Sequence, residues 1–231
     1  MGFDIEGLIF ALSVWALPLL VAITFHEAAH GFVAWRLGDN TAFLLGRVSF
    51  NPFRHIDLFG TIILPGLLLL GSGGKMMFGF AKPVPVDFER LRSPRRDMVL
   101  VALAGPTINV VLAVISALLF HTLAFMSGDF SKWFAFNLSN SIYLNLILAI
   151  FNMLPLPPLD GGRVAIGLLP SPFAKTLARL ERVGFLIILG GIIVLPWIGK
   201  KLGLNLQIFW WLVAEPATFL YKLILQLTGV I

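Results

Sequence analysis

Residues 7–30 read GLIFALSVWALPLLVAITFHEAAH, and no charged side chain precedes the terminal cluster of His26, Glu27 and His30. As a helix rising ~1.5 Å per residue, this stretch covers most of a ~30 Å hydrocarbon layer and delivers three ionisable groups at its far end. The rest of the chain agrees with a membrane setting. Hydrophobic residues make up 58% of the 231 and charged ones 13%, with a mean hydropathy of +0.92. Soluble domains run nearer 45–50% apolar and ~25% charged, which excludes an ordinary soluble enzyme and a disordered chain. There is no cysteine, so disulfides, thiolate metal sites and cysteine nucleophiles are excluded as well. The net charge of +5 in so apolar a chain marks the cytoplasmic edges of spans, not a nucleic-acid partner.

Further charge-free gaps cover residues 98–128, 133–159 and 183–199, and a fifth apolar stretch, 202–227, is interrupted by Glu215-Pro216. No Lys or Arg precedes the first apolar run and no small-residue cleavage pattern follows it, so a retained first span is expected. Residues 56–72 are apolar but short, with Pro65-Gly66 in the middle. Arg36, Arg47 and Arg54 lie before them and Lys75, Lys82, Arg90, Arg92, Arg95 and Arg96 after. Basic flanks on both ends favour a re-entrant hairpin over a sixth span. The expected fold is an all-α polytopic membrane protein of five or six transmembrane helices, with that hairpin and a short membrane-associated β element. It is read as one domain over residues 1–231, with a catalytic core at about 8–162 and accessory spans at about 183–227. The basic connection of Arg163, Lys175, Arg179 and Arg182 puts the end of the first span and the region just past the third on the same, cytoplasmic side.

The string HEAAH places His26 and His30 four residues apart, on one helical face. Both imidazoles can address one metal ion while Glu27 reaches a water as general base, the metalloprotease constellation. Ionised groups inside a span cost ~2.5–3.5 kcal/mol each on insertion scales, which argues against three of them merely lining a polar cavity. Catalytic zinc takes three protein ligands and keeps one position open. Arg36 stands where an extended HExxHxxGxxH motif needs its third His. Asp160 ends NMLPLPPLD, residues 152–160, and precedes Gly161-Gly162. Three prolines stop the helix and two glycines permit a tight turn. Alone, Asp160 reads equally well as the cap of the next helix; at the depth of His30 it reads as the third ligand. His, His and carboxylate suit zinc without excluding iron or manganese.

Together, HEAAH, the AGPTIN string at residues 104–109 and NMLPLPPLDGG resemble the site-2 protease family of intramembrane zinc metalloproteases. The resemblance is closest to its compact bacterial members, which also carry an NPxxHxD segment, here Asn51 to Asp57, and a GxAKPV-like stretch, here Gly79 to Val84. Phe80 stands where a Trp is expected. The likeness covers about the first three quarters of the chain, and nothing resembles a PDZ or CBS domain. It implies one Zn2+ held by His26, His30 and Asp160, with Glu27 as general base. It also implies a polar residue, Asn152, near the scissile carbonyl, with Asn109 and His55 as lesser candidates for the substrate pocket. For Asn109 a hydrogen bond to a neighbouring helix is an equal expectation.

The expected activity is peptide-bond hydrolysis of a membrane-protein substrate whose helix can unwind, within or near the bilayer, with the site toward the cytoplasmic side. An unwound substrate is expected to add to a sheet edge at residues 41–50, or at 78–88 where Lys82-Pro83-Val84-Pro85-Val86 cannot be a regular helix. The competing class is a catalytically inactive homologue or a membrane metal-binding or transport protein. A transporter would repeat ionisable groups across its spans, and outside HEAAH the spans carry almost none, with Glu215 the chief exception.

Overall fold

The computed structural model describes residues 5–63, 67 and 82–231. It is a helical bundle. Its α-helices of more than one described residue are α1 (Ile5–Arg36), α2 (Thr41–Leu44), α3 (Pro94–Leu119), α4 (Gly128–Asn152), α5 (Asp160–Leu168), α6 (Ser171–Arg179), α7 (Glu181–Leu189), α8 (Leu195–Leu202) and α9 (Glu215–Leu227). Four helical stretches among the described residues are long and apolar enough to cross a membrane: Ile9–Arg36, Pro94–Phe125, Gly128–Asn152 and Glu181–Leu202. The last joins α7 and α8 through the wider turn Gly190–Val194. Five or six were expected from the sequence; α9, over the fifth apolar stretch, is not among the four. Glu215-Pro216 does not break the chain there. The wider turn Trp210–Ala214 runs straight into α9, and a widened turn of this kind is where a continuous helix accommodates the donor that Pro216 lacks.

Helices α1, α3 and α4 pack on one another, and small side chains let them approach. Ala22, Ala34, Ala113 and Ala117 are fully buried, which is how helices associate where lipid offers no hydrophobic drive. A second cluster, Ala113, Ala117, Ile142, Leu146, Ala217 and Leu225, ties α9 to α3 and α4. Outward faces carry Ile9, Leu12, Leu17, Val110, Ile115, Leu186 and Ile187 in the open, an apolar surface that suits hydrocarbon and not water. Polar bonds supplement the packing: Trp133 Nε1 donates to Ser13 Oγ at 3.0 Å and Asn140 Nδ2 to the Val14 carbonyl at 2.9 Å.

The expected β element is corrected. No strand occurs among the described residues, and residues 41–50 open with the one-turn helix α2 before irregular chain. Asp39 explains this: its carboxylate accepts from the Thr41 N–H at 3.0 Å and from the Thr41 hydroxyl, an interaction that starts a helical turn and competes with extended backbone. Residues 82–87 are irregular, as their prolines required. Residues 78–81 and, within the expected hairpin at 56–72, residues 64–66 and 68–72 lie outside the described residues; 58–63 form a short helical turn.

Candidate metal centre

His26 and His30 sit one turn apart near the end of α1, 7% and 9% exposed. Their rings stand edge to face with centroids 4.6 Å apart. Each Nδ1 is engaged from behind: His26 Nδ1 lies 2.6 Å from Asn109 Oδ1, and His30 Nδ1 lies 2.7 Å from the Val101 carbonyl. A carbonyl only accepts, so His30 donates from Nδ1 and Nε2 is the nitrogen turned forward. The two Nε2 atoms face each other at 3.0 Å.

Asp160 closes the triangle. Its Oδ2 is 3.2 Å from His26 Nε2 and 3.3 Å from His30 Nε2. That oxygen is buried and makes no hydrogen bond. Two imidazole nitrogens and a carboxylate oxygen converge at separations that a shared cation would stabilise. Two donors each ~2.0–2.1 Å from one tetrahedral zinc ion stand about 3.3–3.4 Å apart, close to the separations here. The donor set therefore fits zinc, and these three residues form a metal-competent group among the described residues.

The approach of Asp160 is set by glycines, though not through turn freedom. Neither Gly161 nor Gly162 has a positive φ; both lie in the first turn of α5. They are small because backbone packs on them. A Cβ on Gly161 would overlap the Met153 carbonyl, and one on Gly162 would overlap the Pro157 nitrogen. From the other side Gly184 of α7 leaves room for the Pro157 carbonyl. The proline loop is thus clamped by three glycines, and Asp160 emerges from it toward α1. Asp160 is not an N-cap: Leu159 holds that position and no side chain caps the helix.

The remaining candidates separate. Glu27 stands outside the three-residue group, and its Oε2 accepts from the Val84 N–H at 2.7 Å. Asn109 is fully buried in α3 beneath His26. Asn152 donates to the Leu148 carbonyl at 3.0 Å, at the end of α4. His55 is 2% exposed, with Nε2 on the Ser49 carbonyl at 2.8 Å. Its own carbonyl accepts from the Lys82 N–H at 3.0 Å, so it ties two loops together.

Two neighbours, Gly105 and Asn145, take no role from the sequence alone. A Cβ at Gly105 would stand 2.5 Å from both His26 Cε1 and His30 Nε2, so α3 can flank the imidazole pair only as glycine. Asn145, fully buried in α4, accepts from Asn109. Its trace was visible: Ser141, Asn145 and Asn152 follow at spacings of four and seven in an apolar helix, a one-sided polar stripe.

A bundle of apolar helices gathering two histidines and a carboxylate at metal-ligand spacing defines a membrane-embedded metalloenzyme scaffold. The chain belongs to peptidase family M50, which it matches over residues 14–142 and 127–195; this is the site-2 protease family that the motifs resemble. It is 41% identical to the Bacillus subtilis protein named Putative zinc metalloprotease YwhC, over 75% of this chain and 77% of that one. It is 34% identical to Putative zinc metalloprotease MJ0611 of Methanocaldococcus jannaschii, over 77% of this chain and 82% of that one. Putative zinc metalloprotease Rip2 of Mycolicibacterium smegmatis is 31% identical over 73% of this chain, which covers 62% of the relative. No solved structure matches the chain.

Proposed function

We propose that this protein is an intramembrane zinc metalloprotease that hydrolyses peptide bonds of transmembrane substrates within or near the bilayer. The observation that carries the reading is the convergence of His26 Nε2, His30 Nε2 and Asp160 Oδ2 within 3.3 Å of one another. Membership of a peptidase family and zinc-metalloprotease names among the relatives support it. In this reading His26, His30 and Asp160 hold zinc. Zinc, when bound, acidifies water and polarises a carbonyl.

Glu27 takes the proton of the attacking water and returns it to the leaving nitrogen. Its carboxylate is already oriented by the Val84 N–H. Asn152 can offer its amide to the scissile carbonyl through the proton that Leu148 does not hold. The substrate must unwind, because a helix keeps its carbonyls in intrahelical bonds. Basic loops at the His30 end support a site on the cytoplasmic side, in a chain that acts as one domain.

The test is cleavage of a single-span substrate by purified protein in proteoliposomes. Glu27→Gln should abolish cleavage, by 10³-fold or more on the scale of a lost general base and its positioning, while one zinc per chain is retained. Normal cleavage by that variant ends the proposal.

A further inference from the structure

Behind His26 a buried chain of amides crosses the bundle. Asn109 Oδ1 faces His26 Nδ1 at 2.6 Å, and both protons of the Asn109 amide are taken, by Asn145 Oδ1 at 2.7 Å and the Ala22 carbonyl at 3.2 Å. Asn145 in turn donates to the Ser141 carbonyl at 2.8 Å. Ser141 shares a hydroxyl bond with Ser116 at 2.7 Å. Asn109 and Asn145 are both 0% exposed, so neither can exchange these partners for water.

The direction of this chain decides what His26 can do. An amide is nearly symmetric in shape, and reversing Asn109 would turn N–H toward His26 Nδ1. His26 would then carry its proton on Nε2, the nitrogen that faces His30 and Asp160, and could not ligate. Two backbone carbonyls, which only accept, prevent that reversal: Ala22 fixes Asn109 directly, and Ser141 fixes Asn145, whose oxygen then fixes Asn109.

We infer that Asn145 is a positioning residue for the metal centre, acting through Asn109 to hold His26 in its ligating tautomer. The inference rests on the proposed zinc site and assigns a role in α4, two side chains removed from the metal. It also makes Asn109 a support for a ligand and not a substrate contact, since both ends of its amide are committed to protein.

The experiment measures zinc affinity of the purified full chain in detergent by competition with a fluorescent chelator, with no proteolysis involved. Asn145→Leu should weaken zinc binding 10- to 100-fold, the usual scale for losing an outer-sphere partner. Asn145→Asp should stay within about threefold of the original, because a neutral carboxylic acid presents the same acceptor and donor ends. In an Asn109→Ala background, Asn145→Leu should add nothing. Equal affinity of Asn145→Leu and the unmodified chain overturns the inference. So does a fall in Asn145→Asp as large as in Asn145→Leu, which marks packing alone, or additive losses in the double variant. Should Asn145→Leu fail to fold, Asn145→Ala carries the same expectation. Failure of the unmodified chain to bind zinc removes the proposed function itself, a separate outcome read in the same titration.

Discussion

The backbone N–H of Val84 donates to Glu27 Oε2 across 2.7 Å, joining residues 57 positions apart. Val84 itself is buried, its methyl against Gly31 one turn beyond Glu27. The segment that carries it is held in turn. Arg47 donates to the Lys82 carbonyl at 2.7 Å and also to the Arg54 carbonyl, while the Lys82 N–H reaches His55. Loops on both sides of residues 58–81 therefore converge on the carboxylate assigned as general base.

A proline at 84 keeps bulk but removes the donor. A hydrogen bond to a charged group is worth about 1.5–3 kcal/mol, so Val84→Pro should lower kcat roughly 10- to 100-fold with zinc content unchanged. Val84→Ala retains the N–H and should lose much less. Single-span substrate cleavage alongside metal analysis checks this; equal losses in the two variants would assign Val84 a packing role only.

Gly105 gives a prediction of opposite sign to the usual helix rule. In a helix interior, Ala is favoured over Gly by about 1 kcal/mol, yet here a Cβ would press on His26 Cε1 and His30 Nε2 at 2.5 Å. Gly105→Ala should leave helical content intact and lower zinc affinity at least tenfold. Circular dichroism and zinc titration on one sample separate the two effects.

How far the sequence foretold this depends on what each feature needed. His26 and His30 were legible because four-residue spacing on a helix fixes a shared face whatever surrounds it. The meeting with Asp160 followed from counting charge-free spans and matching ends. Gly161 and Gly162 were noticed for the wrong reason: their role is close backbone packing on Met153 and Pro157, and proximity of that kind has no local signature. A sheet edge at residues 41–50 was expected from β-branched content, and Asp39 overrode it with a helical turn. Asn145 could be suspected from a polar stripe, but its partner on another helix could not.

Asp39 carries the last prediction, about acid stability. It is fully buried in the loop after α1, and besides Thr41 it accepts from the Asp87 N–H at 2.8 Å. Burial alone would raise its pKa. The Thr41 hydroxyl and N–H, the Asp87 N–H and the nearby Arg90 charge outweigh that and hold the carboxyl below the ordinary carboxylate range. The folded state thus binds this proton less readily than the unfolded chain, so Asp39 contributes its full stabilisation above the ordinary pKa near ~4. That contribution is lost as pH falls below ~4 toward the folded value. Asp39→Asn keeps one acceptor but no charge, and should be less stable at pH 7 by about 1–3 kcal/mol. The gap to the unmodified chain should hold between pH 7 and pH 5 and narrow as pH falls from about 4 toward 3. Thermal melts of both chains across that range provide the measurement, and a gap that stays constant with pH would show that Asp39 holds the loop by shape alone.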